Sequence, residues 1–166
     1  MKGCIIEERP KARIITYFMK VRDVMITPVV TVSPATSYEE TARLLYENHF
    51  SGVPVTGDDG KLLGIVSEKD LFRAMYPRYE EYVLEPHAYL DQEVREGEIR
   101  TIRKQPIGKF MNTKVVTIEA DAPILHAGGL MLARGFHRLP VIDHGILVGI
   151  VTREDIYGAV FKKYLL

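Results

Sequence analysis

The amino-acid sequence predicts an α+β fold in which two strand–helix–strand–strand–helix (βαββα) repeats pack sheet to sheet about a pseudo-twofold axis. Three observations carry that expectation. The chain repeats itself, and each copy alternates β-branched runs with segments of helical spacing. One copy alone, about 55 residues, buries too little apolar surface to stand comfortably by itself.

The repeat is visible when VMITPVVTV (24–32) is placed above FMNTKVVTI (110–118). Met25 falls on Met111, Thr27 on Thr113 and Val29-Val30-Thr31 on Val115-Val116-Thr117, an offset of 111 − 25 = 86. Leu44 then meets Leu130, Phe50 meets Phe136, and Pro54-Val55 meets Pro140-Val141. One residue is lost where TGDDGK faces IDHGI. At the resulting offset of 85, Gly64-Ile65-Val66 matches Gly149-Ile150-Val151 and Asp70 matches Asp155. The organisation read from this is an amino-terminal segment 1–20, repeat one at 21–75, an inserted linker 76–106 and repeat two at 107–166.

Within repeat one, VVTV reads as a short β-branched strand. SYEETARLLYENHF reads as a helix with Ala42, Leu44, Leu45 and Phe50 on one side, capped by Ser37 with Glu40 three residues on. GVPVTGDDGKLLGIV is two strands about an Asp/Gly turn, and SEKDLFRAM opens a helix. In the linker Tyr76, Tyr79 and Tyr82 recur at spacing three, which predicts a partly helical insertion with an aromatic face. Repeat two follows the same order: VVTI, a helix APILHAGGLMLARGF, a hairpin HRLPVIDHGILVGIV and a helix from TREDIYGAVFKKYL. Its first helix is the more apolar, so deeper burial is expected there.

Composition removes several classes of function. Twenty-two basic residues balance 22 acidic ones, so no long-range field exists to hold nucleic acid or an acidic membrane. A local basic cluster can still bind one small anion. The single cysteine, Cys4, has no disulfide partner and no zinc-type spacing. Charges interrupt the first 21 residues, and no run approaches the roughly 20 apolar residues of a membrane span. The expectation is a soluble, cytoplasmic protein. His49, His87, His126, His137 and His144 form no metal spacing, and no nucleophile–base pair stands out, so neither a metal site nor an enzyme is expected.

Two motifs point to a binding site. GIVSEKD (64–70) and GIVTRED (149–155) each put a hydroxyl at a strand end and an aspartate three residues later. That is a capping box, Ser67 with Asp70 and Thr152 with Asp155. The same geometry offers amides to a phosphate and a carboxylate to a ribose diol. The two uses are compatible.

The order DVMITPVVTV … SGVPVTGDDGKLLGIVSEKD, repeated as KFMNTKVVTI … HRLPVIDHGILVGIVTRED, resembles a pair of CBS domains, the family named from cystathionine β-synthase. The resemblance covers both copies but neither the amino-terminal segment nor the linker. It implies a regulatory module that binds AMP, ADP or ATP, with S-adenosylmethionine ranked behind them, and that acts on an unidentified partner, often as a homodimer. With no effector domain in view, output is expected to pass through another chain. The resemblance also implies that Ser67, Asp70, Thr152 and Asp155 meet phosphate or ribose. The run beginning His137-Arg138 is similar to one in the gamma subunit of AMP-activated protein kinase, which places both side chains on phosphate. The base slot is expected from Met25–Pro28 and Met111–Lys114, hence Ile26, Thr27, Pro28, Asn112 and Thr113, with Val53 or Leu139 before the strand proline. Ser51 and Gly52 stand where the second copy has His137 and Arg138, so the second cleft is expected to hold a phosphorylated ligand better. The alternative is a ligand-free scaffold that dimerises through the Ala42/Leu45 and Leu130/Leu132 helices.

Overall fold

A computed structural model describes residues 19–76 and 92–166, without the side chains of 92–95. Cys4, Tyr79, Tyr82 and His87 lie outside the described residues. Among those described, no helix is long and apolar enough to cross a membrane.

The first copy contains α1 (Tyr38–Asn48), β1 (Gly52–Thr56), β2 (Leu62–Ser67) and α2 (Glu68–Ala74). A linker helix α3 (Gln92–Ile102) precedes the second copy, in line with the partly helical insertion expected there. The second copy comprises β3 (Ile118–Glu119), α4 (Ile124–Arg134), β4 (Arg138–Asp143), β5 (Ile146–Thr152) and α5 (Arg153–Tyr164). β1 and β2 pair antiparallel; β3 runs parallel to β4, and β4 pairs antiparallel with β5. The fold is α+β, as expected.

The first strand of each copy is shorter than VVTV and VVTI suggest. In copy one it shrinks to a parallel bridge in which Val32 N–H donates to Pro54 O (3.1 Å) and Thr56 N–H to Val32 O (3.0 Å). In copy two it is the two residues of β3. The chain ahead of each strand makes its backbone bonds across to the other copy, as far as Ile26 and Asn112, and pairing within the copy starts only at Val32 and Ile118.

That crossing is the main feature of the molecule. Val21 N–H donates to Ala122 O (2.9 Å) and Arg22 N–H to Ala120 O (2.9 Å). The same bonds recur 86 residues on: Ile107 N–H to Thr36 O (2.7 Å) and Gly108 N–H to Pro34 O (3.0 Å). Ile26 then exchanges two backbone bonds with Ile150, and Asn112 exchanges two with Ile65. Each lead-in turn therefore belongs to the opposite core. Val21 is fully buried with Met131, Leu139, Val141 and Val151 of copy two, and Ile107 with Leu45, Val53, Val55 and Val66 of copy one.

Two glycines make the crossing possible. A Cβ on Gly64 would lie 2.8 Å from Met111 Sδ and 2.9 Å from Asn112 O. A Cβ on Gly149 would overlap Met25 Sδ. Ion pairs clasp the rims: Arg103 binds Glu39 through two nitrogens (2.9 and 2.7 Å), and Asp121 accepts from Lys20 Nζ (3.1 Å) and Arg22 Nε (2.6 Å).

Deeper burial of the more apolar helix is not what the structure shows. α1 buries Tyr38, Thr41 and Leu45; α4 buries Ile124, Ala127 and Met131. The additional apolar residues of α4 point outward, with Leu125 54% and Leu132 75% exposed. An 11-residue helix resting one face on a sheet has room for one buried stripe, whatever its composition.

Candidate functional site

Both motifs form complete capping boxes. At the β2–α2 junction Asp70 N–H donates to Ser67 Oγ (3.3 Å), while Asp70 Oδ2 accepts from Ser67 N–H (2.9 Å) and from its hydroxyl (2.5 Å). At the β5–α5 junction Asp155 N–H donates to Thr152 Oγ1 (3.2 Å), and Asp155 Oδ2 accepts from Thr152 N–H (2.8 Å) and Oγ1 (2.7 Å). In each box one carboxylate oxygen is committed. The other, Oδ1, accepts no hydrogen bond among the described residues. α5 has 12 residues and a developed dipole at its start; α2 has only seven.

Each aspartate lines a recess. Beside Asp155 lies one of about 520 Å³, bounded by Glu154, Gly158, Ala159, Lys162 and Lys163 on α5 and by Met19 and Val24 of the first copy's lead-in. Beside Asp70 lies one of about 470 Å³, bounded by Arg73 and Ala74 on α2 and by Phe110, Met111 and Asn112 of the second copy's lead-in. Because the lead-ins cross, each cleft takes its aspartate from one copy and its opposite wall from the other.

The crossing sorts the remaining sequence-derived residues. Ile26 is bonded to Ile150, two residues before Thr152, so Ile26, Thr27 and Pro28 stand beside the second copy's motif. Asn112 and Thr113 stand beside the first copy's motif through the Ile65 bonds. The Thr27–Pro28 peptide is cis, and all three of Ile26, Thr27 and Pro28 are exposed. Val53 and Leu139 are each 1% exposed and serve as core residues of their hairpins. Arg138 begins β4 in register with Thr152, half-buried and without an ion pair among the described residues. His137 is exposed, and its carbonyl accepts from Arg153 N–H (3.0 Å). Neither His137 nor Arg138 lines the 520 Å³ recess. Arg138 stands at the start of β4, in register with the capping residue Thr152.

Sequence reading missed three cations. Lys162 and Lys163 line the second recess and Arg73 lines the first. Arg73 follows Asp70 by one helical turn, a spacing that the sequence alone contains. Among the described residues no group of His, Cys, Asp and Glu is arranged to hold a metal ion.

Comparison with known proteins agrees with this architecture. A family model for the CBS domain matches residues 21–77 and again 107–162. An uncharacterized protein of Methanocaldococcus jannaschii is 33% identical over 154 residues, covering 85% of this chain and 90% of its own. The A-adding tRNA nucleotidyltransferase of Aquifex aeolicus is 31% identical over 144 residues, which is 86% of this chain but 14% of that enzyme. This chain spans between 14% and 41% of the length of four of the relatives it matches. Among solved structures, CBSX2 of Arabidopsis thaliana in complex with AMP superposes with a TM-score of 0.66 at 27% identity, covering 86% of this chain and 96% of its own. The CBS domain pair of protein MJ0100, in complex with 5′-methylthioadenosine and S-adenosyl-L-methionine, gives 0.63 at 26% identity, covering 88% and 98%. Two matched repeats, a shared pair fold and the crossed lead-ins lead to one assignment: this chain is a tandem member of the CBS domain family.

Proposed function

We propose that this protein is a regulatory module that binds an adenine-containing ligand in its two clefts and passes the liganded state to a partner protein. The observation that carries the reading is the pair of capped aspartates, each lining a recess walled by the opposite copy with one oxygen uncommitted. Such an oxygen suits the hydroxyls of a ribose. Arg138, facing Thr152 across the hairpin, supplies a planar donor pair for phosphate, with His137 beside it. Solved relatives hold AMP, 5′-methylthioadenosine and S-adenosylmethionine, which supports the ligand class; for this chain AMP, ADP and ATP rank ahead of S-adenosylmethionine because Arg138 suits a phosphate. The reading assigns no catalytic residue and places the protein in the cytoplasm.

A ligand spanning a cleft touches both copies at once, so it favours the arrangement in which the lead-ins are seated. That differential affinity is what allows a binding event to shift a population. In the scaffold reading Leu132, 75% exposed, stays available on α4, while the α1 face needs revising. Leu45 is 1% exposed and unavailable for dimerisation, whereas Phe72 with Tyr76 and Tyr157 with Phe161 form matching aromatic pairs on α2 with its end and on α5. A homodimer through these faces is compatible with ligand binding, and sedimentation of a Phe72→Glu/Tyr157→Glu variant tests it.

The function itself is tested by thermal shift and calorimetry. A saturating adenine nucleotide at a hundredfold its Kd adds about 2.7 kcal/mol of stability. Arg138→Ala is expected to weaken AMP or ATP binding roughly ten- to a hundredfold, from the loss of one or two charge-assisted bonds. If no adenine compound raises the melting temperature, the module is a scaffold. If binding occurs but Arg138→Ala leaves it unchanged, the phosphate lies elsewhere.

A further inference from the structure

The first cleft looks uncharged in sequence, because Ser51 and Gly52 replace His137 and Arg138. In three dimensions it contains a cation from a different element. Arg73 lines the 470 Å³ recess together with Asp70, and the same recess is walled by Phe110 and Met111. Resting on the reading that the clefts take adenine ligands, we propose that Arg73 makes the first cleft a selective site for a nucleoside monophosphate.

The proposal rests on how the two recesses differ at equivalent positions. Arg73 corresponds to Gly158 at the offset of 85, and Phe110 corresponds to Val24 at 86. The first cleft therefore has a guanidinium one helical turn beyond its carboxylate, roughly 4.5 Å of rise at 1.5 Å per residue. The second cleft has nothing at that place. Its nearest lysine along α5, Lys162, lies two turns from Asp155, roughly 10.5 Å of rise. A carboxylate on a ribose diol with a cation one turn away matches a phosphate attached directly to the same sugar. A cation two turns away does not reach that phosphate.

Two further observations agree. Arg73 forms no ion pair or side-chain hydrogen bond among the described residues, so its donors are not engaged in holding the fold. Phe110 is fixed edge-on by the buried Tyr38, with ring centroids 5.4 Å apart at 76°, and offers a pre-set apolar wall for a base. Val24 gives the second cleft a smaller wall. The inference is one of selectivity: the first cleft distinguishes AMP from adenosine by the α-phosphate, through Arg73.

The test is calorimetry of the intact chain with AMP and with adenosine, for the native protein, Arg73→Ala and Arg73→Lys. The expected result is that Arg73→Ala lowers AMP affinity at one of two sites ten- to a hundredfold and leaves adenosine affinity unchanged, with Arg73→Lys restoring part of the preference. Circular dichroism melts are expected to show that exposed Arg73 is dispensable for folding. If Arg73→Ala leaves AMP affinity unchanged at both sites, with Arg138 in place to hold the second, this inference is wrong and the function stands. An equal loss for AMP and adenosine also overturns it, since Arg73 then acts on the cleft's shape. If neither compound binds the native protein, both the function and this inference fall.

Discussion

The two copies share their backbone bonds and differ in how side chains finish the elements. α1 begins at a full capping box, Ser37 with Glu40, while α4 begins at Pro123, which has no side chain to accept a bond. The first amide of α4 is satisfied instead by Met19 O (2.9 Å), from the other copy's lead-in. At the far ends the chain turns left-handed in both, through His49 at φ 54° and Gly135 at φ 70°. The boxes Ser67–Asp70 and Thr152–Asp155, and a methionine laid over a glycine, occur in both copies. The lesson is that backbone demands repeat faithfully because the fold imposes them, while any side chain that meets a demand will serve. Where the same side-chain solution appears twice, the clefts and the seam between copies are involved.

The comparison can be broken most forcefully at the seam. Gly64→Ala places a methyl against Asn112 O, a backbone atom already bonded to Ile65, so it cannot yield. A loss of roughly 2–3 kcal/mol is expected in urea unfolding, the usual cost of overpacking. The nearest atoms to a Gly149→Ala methyl all belong to the Met25 side chain, whose Sδ and Cγ can swing away, and about 1 kcal/mol is expected. Equal losses would show that the two seams are not held in the way the methionine–glycine contacts describe.

A smaller effect sharpens the contrast between helix ends. His49→Gly relieves a left-handed histidine and is expected to raise stability by about 0.5–1 kcal/mol after glycine's added chain entropy. Gly135→Ala should lower it by a similar amount. A destabilised His49→Gly protein would mean that the imidazole itself contributes to the fold.

The smallest effect lies in the rim clasps. The hydrogen bond from Lys20, aided by the charge of Arg22, holds the Asp121 carboxyl below its ordinary value. A carboxyl depressed in the folded state adds stability above its unfolded pKa, and that increment disappears as pH falls through the folded pKa. Asp121→Asn should therefore flatten the acid side of the stability profile slightly at low salt and leave it unchanged at high salt, because the group is exposed. Urea midpoints measured from pH 5 down to pH 2 at two ionic strengths decide this.

Much of this molecule was legible in its sequence. The offset of 86 becoming 85 locates the hairpins, and Ser37 with Glu40 places the start of α1. The cap motifs announce both aspartates. Strand length was not legible, because VVTV carries no mark of the cross-copy bonds that occupy the chain ahead of it. The place of Arg73 in a cleft was not legible for a related reason: the recess it lines is completed by Phe110 and Met111, 37 and 38 residues away, which meet it only after the lead-ins cross. Leu125 and Leu132 show the opposite error, since a helix's composition does not say how many of its faces find a neighbour.

Ile107 completes the interior of the first half, and Val21 that of the second. A ribosome that has released only the first 75 residues has thus produced an unsealed body with an apolar opening to water. Closure waits until the opening of the second half emerges, and α5 must then find a plug made with the first half. Duplication here is not redundancy: separated into two peptides, each half would be a container whose stopper is attached to the other.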